Sequence, residues 1–223
     1  MEYRHEVKHL ITQSDAISIR RNLSAVAHCD AHVKQDGSYT IRSLYFDDVR
    51  DTALWEKLDG VNERRKFRIR YYNDDLSFIM LECKQKRDNV GRKLQQRLTA
   101  DEVRRIMDGD IAWLATSGKP LLVTLYVEMK ASGLKPKCVV QYQRIPFVYG
   151  PGNVRVTIDW NIRTGPPEQF MDPLGLTIPV DGNPMLLEVK WDDYLPNAIR
   201  RATELKGRNQ SSFSKYAACR MYK

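Results

Sequence analysis

The chain has 223 residues, a formal net charge of +8, and 42% hydrophobic and 29% charged residues. A chain of this length and composition can bury a sizeable core, which excludes intrinsic disorder as its main state. The positive excess points to phosphate-rich partners: nucleic acid, anionic lipid or polyphosphorylated molecules.

Targeting and redox features favour the cytoplasm. The first residues are charged and lack the apolar core of a signal peptide, and no apolar run approaches the ~20 residues that cross a bilayer. The cysteines form no C-x-x-C pair, which is typical of reduced, mostly buried thiols. They are Cys29, Cys83, Cys138 and Cys219. We therefore expect a cytoplasmic protein that reaches the inner face of a membrane only through a partner.

The first quarter of the chain predicts two strands and two helices. Residues Tyr3 to Ile11 alternate in polarity and predict a strand, followed by a helix that starts near Asp15 and runs to about Ala27. A second strand is predicted over Tyr39 to Asp47 and a short helix over Asp51 to Leu58.

Three segments between Glu63 and Leu98 then alternate basic and bulky side chains. Because a β-strand directs successive side chains to opposite faces, each segment predicts a strand with one polar face. A turn-like stretch, residues 87–91, separates the second strand from the third. The residues on the polar face are Lys66, Arg68 and Arg70 in the first strand, Glu82, Lys84 and Lys86 in the second, and Lys93, Gln95 and Arg97 in the third.

This polar face has two interpretations, and the sign of its charges helps to choose between them. The simpler one is a sheet with one core face and one solvated face. Solvated faces, however, normally mix Lys and Glu, because like charges directly opposite each other destabilise a strand pair. Here one Glu stands among many cations, which favours a face that binds a polyanion.

The second half of the chain begins with a predicted capping box. Thr99 is its N-cap and Glu102 its third helical residue, and the helical stretch runs to about Ser132 with a break near residues 118–120. The remaining predictions are strands over residues 137–149, 154–163 and 185–191, a Gly- and Pro-rich loop over 164–184, and helices over 196–205 and 212–221.

About eight strands are predicted, and nearly every one has a polar face with Arg, Lys or Glu. An open sheet would expose its edge strands, whereas closure removes them. An eight-stranded barrel has room for side chains or one slender ligand. We therefore predict an α+β fold in a single domain, residues 1–223: a closed eight-stranded antiparallel β tunnel with a polar, cationic interior and surrounding helices.

Nine segments, in order and at plausible spacing, resemble the VTC (vacuolar transporter chaperone) domain. This is the polyphosphate polymerase branch of the CYTH-like triphosphate tunnel metalloenzymes. The segments cover nearly the whole chain and read YRHEVKH, RSLYFDD, KFRIRYY, LECKQK, GRKLQQRL, VVQYQRIPFVY, VRVTID, LLEVKW and SFSKY. The family fold is a closed antiparallel β tunnel surrounded by helices, which agrees with the predicted barrel.

Position by position, the resemblance implies the residues of the site. Glu188, together with Glu6 or with Glu82 as an alternative, would hold Mn²⁺ or Mg²⁺, since hard cations prefer oxygen ligands. Arg4 stands where the wider superfamily has the first Glu of an E-x-E-x-K strand, which favours the polymerase branch over simple triphosphatases. The implied catalytic residues are Arg68, Arg70, Lys84 and Glu188, and the implied phosphate- and ATP-binding residues are Lys8, Arg68, Arg70, Lys84, Lys93, Arg144, Arg155, Ser214 and Lys215.

The resulting hypothesis is a metal-dependent polymerase that transfers the γ-phosphate of ATP to a growing polyphosphate chain. Its partners would be ATP, phosphate, pyrophosphate and polyphosphate, together with a membrane protein for export. Nucleic acid is not expected, because no RNA- or DNA-binding motif appears. Two alternatives stay open: a metal-dependent triphosphatase acting on ATP or inorganic triphosphate, and a non-catalytic domain that binds polyphosphate or nucleotides.

Several site residues also have purely structural interpretations. These are ion pairs of Glu188 with Lys190 or Arg155, ion pairs of Arg144 and Arg155 with Asp159 or Glu82, and an ordinary helix start at Ser214 and Lys215.

Overall fold

The structure is a computed structural model that describes residues 4–30, 33–87, 90–205 and 207–221. Ten strands are present in this part of the chain. Their bounds are β1 (His5–Ile11), β2 (His28–Cys29), β3 (Tyr39–Asp47), β4 (Arg64–Tyr72), β5 (Asp75–Arg87), β6 (Val90–Leu98), β7 (Lys135–Tyr149), β8 (Val154–Gly165), β9 (Ile178–Pro179) and β10 (Met185–Trp191).

The helices lie between and after these strands. In the described ranges, no helix combines the length and the apolar composition that a membrane span requires. The helix bounds are α1 (Gln13–Ser24), α2 (Thr52–Leu58), α3 (Ala100–Met107), α4 (Ala112–Ala115), α5 (Pro120–Ala131), α6 (Asn197–Ala202) and α7 (Lys215–Met221), with single 3₁₀ turns at Pro151–Asn153 and Pro167–Gln169.

The sheet corrects the predicted closed tunnel. Its strand order is β1-β10-β8-β7-β3-β4-β5-β6, with β2 paired to β7 and β9 paired to β8. The prediction of eight strands is wrong because β2 and β9 are only two residues long, too short to show alternation. The prediction of closure is also wrong, since the strand order ends at β1 and β6.

Protection of the two end strands explains why closure was a poor inference. Beside β1, the Ser211 amide donates to the Lys8 carbonyl at 2.7 Å, and His9 bridges to Gln210. On β6, the side chains of Arg92 and Arg97 are exposed. A covered edge and a charged edge both resist pairing with other chains. In the described residues, both edges of the open sheet therefore have features that resist pairing, so closure is not needed to protect them.

The chain forms two compact units. Strands β3, β7 and β8 contribute residues to both of them. A single domain over residues 1–223 stays a prediction. Unit 1 comprises Met1–Thr40, Tyr142–Ile162 and Val180–Phe213, and unit 2 comprises Ile41–Gln141, Arg163–Pro179 and Ser214–Lys223.

The core of unit 2 lies on the apolar face of the strands that the sequence marked as cationic. Phe67, Ile69 and Leu81 are buried in one cluster with Val103 of α3 and Leu122 of α5. Because these residues alternate along β4 and β5 with Lys66, Arg68, Glu82 and Lys84, the charged side chains occupy the opposite face.

Unit 1 is built in the same way. Leu23 of α1 and Ile199 of α6 are buried against Val156, Leu187 and Val189 of β8 and β10. The alternate residues Arg155, Thr157 and Asp159 of β8 and Glu188 and Lys190 of β10 are polar and lie on the opposite face. In both units, therefore, the helices cover the apolar face of the strands.

Local sequence signals set several element boundaries. Asn73 and Asp74 both have positive φ (51° and 59°) between β4 and β5, as a tight hairpin with the twist of its strands requires. The predicted Thr99–Glu102 capping box is confirmed, and Thr12 caps α1 in the same manner with Asp15. Helices α1 and α6 end about three residues earlier than predicted, and α7 begins three residues later than predicted. The predicted turn residues 88 and 89 lie outside the described residues.

Thr99→Ala tests the capping box. The Thr99 hydroxyl accepts the Glu102 amide at 3.1 Å, so its loss should lower the free energy of unfolding by about 1 kcal/mol, measured by urea denaturation. Thr124→Ala is the control, because that hydroxyl donates to the Pro120 carbonyl within α5 and does not accept an amide at a helix start. Equal stability of the Thr99→Ala and wild-type proteins would contradict the assigned cap.

Candidate functional site

The polar face of unit 2 places cations directly opposite one another. Lys66 lies opposite Lys84, and Lys84 lies opposite Lys93. Like charges in register repel. Among the side chains of β4, β5 and β6 that the structure describes on this face, Glu82 is the one carboxylate.

Glu82 is the centre of the hydrogen bonds on this face. Its carboxylate accepts from Arg68 Nε at 2.6 Å, Lys93 Nζ at 2.5 Å and Gln95 Nε2 at 2.9 Å. Burial acts to raise the pKa of Glu82, but Arg68, Arg70 and Lys93 outweigh it and hold that pKa well below its ordinary value. Glu82 is therefore ionised throughout the neutral range and balances only part of the surrounding positive charge.

Two arginines of β4 are fixed by neutral partners as well. Arg70 is buried, and its Nε donates to the Ser43 hydroxyl at 3.1 Å. Arg68 Nη1 donates to the Tyr45 hydroxyl at 2.9 Å. Burial acts to raise the pKa of Tyr45, and the cations Arg68, Arg70 and Lys66 outweigh it, so the pKa lies below its ordinary value. These contacts orient both guanidinium groups without neutralising them.

The polar face of unit 1 holds a balanced cluster of two glutamates and two lysines. Lys8 Nζ lies 2.6 Å from Glu6 Oε1 and 3.4 Å from Glu188 Oε2, and Lys190 Nζ lies 3.1 Å from Glu6 Oε2 and 2.7 Å from Glu188 Oε1. Burial and Glu188 act to raise the pKa of Glu6, but Lys190 and Lys8 outweigh them and lower it. Each carboxylate thus has two ammonium partners.

Two arginines of unit 1 also have acidic partners. Arg144 forms a bidentate pair with the buried Asp159, at 2.6 and 2.7 Å. Arg155 Nη2 lies 3.3 Å from Asp30 Oδ2 and donates to the Tyr39 hydroxyl at 2.9 Å. The ion pair of Arg144 with Asp159, which the sequence offers as a structural interpretation, is therefore present. Arg155 instead pairs with Asp30, which the sequence interpretation does not include.

The remaining predicted residues lie in unit 2. Lys84 is exposed on β5. The Ser214 hydroxyl accepts the Ala217 amide at 3.3 Å, and Lys215 is the first residue of α7. These positions match an ordinary helix start, and they leave the roles of Ser214 and Lys215 in phosphate binding as a prediction.

The predicted metal ligands form a site of only two carboxylates. No group of three or more His, Cys, Asp or Glu side chains converges as metal ligands in the described residues. Glu6 and Glu188 share one cluster, so they fit a hard divalent cation only as part of a ligand set that phosphate oxygens or water complete. Binding of that cation would displace the ammonium groups of Lys8 and Lys190.

Sequence reasoning missed three residues that the structure ties to these faces. The strand pattern puts Lys190 on the same face as Glu188 and offers it as an ion-pair partner, but the predicted site does not include it. The strand pattern puts Lys66 on the cationic face, but the predicted site does not include it. Tyr216 of α7 stacks on Tyr45 with ring centroids 4.9 Å apart, a contact that no sequence pattern indicates.

Comparison with known proteins places the chain in a family. A family model described as the VTC domain matches residues 3–222. No curated protein sequence matches the chain.

Solved structures give the fold. HpAC1 of Hippeastrum, described as a candidate adenylyl cyclase with a dominant triphosphatase activity, is 16% identical with a TM-score of 0.58, over 99% of this chain and 95% of that chain. A candidate adenylate cyclase of Bacillus halodurans is 15% identical with a TM-score of 0.48, over 91% of this chain and 84% of that chain. The Hippeastrum likeness shows a shared fold.

Glu82→Gln tests the charge balance of the unit 2 face. At pH 7 the substitution should lower the free energy of unfolding by about 3 kcal/mol, because it leaves the buried Arg70 and the partly buried Arg68 without their carboxylate. The folded-state pKa of Glu82 is lowered, so the wild-type advantage is present above the unfolded-state pKa of ~4.3 and is lost as pH falls toward the folded-state pKa. Urea unfolding from pH 7 to pH 3 measures this.

The control for that series is Glu168→Gln, at an exposed glutamate. Its stability difference from wild type should be near zero at every pH. A Glu82→Gln difference that stays constant down to pH 3 would contradict the lowered pKa.

Proposed function

This chain belongs to the VTC-domain family, and we propose that it is a polyphosphate polymerase that transfers the γ-phosphate of ATP to a growing polyphosphate chain. The observation that carries the proposal is the polar face of β4, β5 and β6. Many cations in register and the single described carboxylate, Glu82, leave a positive charge that a chain of phosphates would balance.

The residue types on this face suit phosphate binding. The planar fork of Arg donates two parallel hydrogen bonds to phosphate oxygens and stays charged, whereas Lys acts as a point charge. Arg68 and Arg70 are held in place by Glu82, Tyr45 and Ser43. Because they are positioned before any ligand arrives, phosphate binding would cost little side-chain ordering. Lys84, Lys93, Ser214 and Lys215 complete the proposed set in unit 2.

In unit 1, Glu6 and Glu188 are the proposed ligands of Mn²⁺ or Mg²⁺. A divalent cation at this position would neutralise charge on the phosphate oxygens that bind it. Lys8, Arg144 and Arg155 are the proposed phosphate-binding residues of this unit. The Thr157 hydroxyl, opposite Glu188 on β8, is buried without a hydrogen-bond partner in the described residues, which supports a ligand in this region.

The proposed reaction needs positioning and charge neutralisation more than covalent help from the protein. An oxygen of the terminal phosphate of the acceptor forms a bond to the γ-phosphorus, the bond from that phosphorus to the β–γ bridging oxygen breaks, and ADP leaves with the electron pair. Arg68, Arg70 and Lys84 would hold the transferring group and stabilise the charge that develops on its oxygens.

A triphosphatase is the second candidate. The fold is shared with the Hippeastrum protein described as having a dominant triphosphatase activity, and the same cations would bind ATP or inorganic triphosphate. The two reactions differ in the acceptor, which is phosphate or polyphosphate in one and water in the other. We further propose that the chain acts in the cytoplasm and passes its product to a membrane protein.

Incubation of the purified protein with ATP and Mn²⁺ or Mg²⁺ separates the candidates. If the protein is a polymerase, long polyphosphate should appear on a gel together with stoichiometric ADP. Free phosphate without polyphosphate would assign the triphosphatase. Neither product, with triphosphate binding retained, would assign a non-catalytic binder and contradict both enzymatic proposals.

Glu188→Ala should lower turnover by ~10²-fold or more, because it removes one of the two proposed ligands of the divalent cation on which the proposed reaction depends. Triphosphate binding in the absence of metal should remain measurable by calorimetry. Glu168→Ala, at an exposed glutamate, is the matched control and should leave turnover unchanged. Loss of metal-free triphosphate binding in a folded Glu188→Ala protein would show that Glu188 is not mainly a metal ligand.

A further inference from the structure

Lys66 lies over the rings of Tyr216 and Tyr45 in unit 2, and we call these two rings the aromatic seat. Its ammonium nitrogen lies 4.2 Å from the centroid of the Tyr216 ring and 5.8 Å from that of the Tyr45 ring. Tyr216 belongs to α7 and Tyr45 to β3, and the two rings stack on each other. Because a cation over an aromatic face is attracted by the ring quadrupole, two elements fix the position of this one ammonium group.

Lys66 differs from its neighbours in having no acidic partner. In the part of the chain that the structure describes, no carboxylate lies within ion-pair distance of its nitrogen, whereas Arg68 and Lys93 both pair with Glu82. A partly buried ammonium without an anion is unfavourable, because burial removes water that would solvate its charge.

Asp47, one of the carboxylates that act on Lys66 from a distance, is already engaged. Asp47 Oδ1 accepts the Ala53 amide at 2.8 Å, and Oδ2 accepts the Leu54 amide at 3.1 Å and the Tyr216 hydroxyl at 2.5 Å. These bonds hold Asp47 at the start of α2 and tie α7 to β3. Asp47 therefore keeps Tyr216 in place beneath Lys66, but its oxygens are committed to other donors.

The surroundings of Lys66 are predominantly cationic. Burial, reinforced by Lys57 and Arg64, lowers the pKa of Lys66 to about 8, against the opposing attraction of Tyr45 and Asp47. The charged and titratable groups around it are Arg64 and Arg68 on β4, Tyr45 and Asp47 on β3, Lys84 on β5, Glu56 and Lys57 on α2, Cys138 on β7 and Tyr216 on α7.

A multiply charged oxyanion matches this environment. An ammonium has three N–H donors. The aromatic faces attract its charge but supply no acceptor oxygen for these donors. One phosphate oxygen could therefore accept from Lys66 while its negative charge reduces the repulsion along the row Lys66, Lys84 and Lys93. Binding of such an anion would favour the protonated form of Lys66.

We propose that Lys66 is a further phosphate-binding residue, seated on Tyr216 and Tyr45, and that binding of an oligophosphate to this face is coupled to the uptake of a proton by Lys66. The inference rests on the proposed phosphate-binding function and adds to it a residue that the family resemblance did not supply. Tyr216 is the positioning residue, because it holds the ammonium without competing for its hydrogen bonds.

Calorimetric titration with inorganic triphosphate tests the contact. At pH 7, Lys66→Met should weaken binding by about tenfold or more, the usual effect of losing one charge-assisted hydrogen bond. Lys130→Met is the matched control, since Lys130 is exposed at the end of α5 in the same unit. It removes the same charge from the protein and should leave the affinity within about twofold.

Proton uptake tests the coupling. At pH 8 about half of Lys66 is neutral before binding, so wild type should take up about half a proton more than Lys66→Arg, whose guanidinium stays charged. Titrations in buffers of different ionisation enthalpy measure this difference, and the protons of triphosphate itself cancel in the comparison. Between pH 7 and pH 9 the affinity of wild type relative to Lys66→Arg should fall by about five- to tenfold.

Positioning by Tyr216 has its own readout. Tyr216→Phe keeps the ring and should retain the proton uptake, whereas Tyr216→Leu removes the aromatic seat and should weaken binding without abolishing it. Circular dichroism establishes that each variant is folded before its affinity is compared.

The outcomes separate this inference from the proposed function. A wild-type protein that does not bind triphosphate would overturn the proposed function. Wild-type binding that Lys66→Met weakens no more than Lys130→Met does, or equal proton uptake by wild type and Lys66→Arg, would overturn the role of Lys66 and leave the proposed function standing.

Discussion

Repulsion between cations in cross-strand register dominates the electrostatics of unit 2. Lys66, Lys84 and Lys93 follow one another across three strands, and Glu82 is already shared between Arg68 and Lys93. The sheet tolerates this row because its apolar face is packed on α3 and α5, so that burial of Phe67, Ile69 and Leu81 offsets the cost. Stability is supplied on one face and a binding surface on the other.

The polar face of unit 1 has the opposite character. Two lysines and two glutamates alternate in one cluster, and Arg144 is matched by Asp159. Such a face is close to charge balance and does not by itself call for an anion. This cluster suits an exchange of ion-pair partners. A divalent cation would replace the ammonium groups on Glu6 and Glu188, and Lys8 and Lys190 would then be available to other anions. The two faces thus have different proposed tasks for different electrostatic reasons.

Sequence patterns predicted the faces of strands better than their partners. Alternation assigned Lys66, Arg68 and Arg70 to one side of β4, because the two-residue period of a strand is a local property. The family resemblance is confirmed, whereas closure of the sheet and the number of strands were wrong. Which edges pair is decided by contacts distant in sequence, such as the Ser211 amide beside Lys8, and these leave no periodic signal.

The same limit explains the omissions in the site. Nothing in the letters around Tyr216 shows that its ring lies under Lys66, and nothing around Asp30 shows that it lies beside Arg155. Both contacts join residues more than a hundred positions apart. Conversely, Glu188 and Lys190 are neighbours in the pattern itself, which is why their ion pair could be considered from the sequence.

A crystal structure of the protein with inorganic triphosphate tests the central claim most directly, since the claim concerns which side chains contact phosphate. The account predicts phosphate oxygens within hydrogen-bond distance of Lys66, Arg70 and Lys84, on the polar face of β4 and β5. Triphosphate bound elsewhere, with those three side chains making no contact to it, would contradict the account.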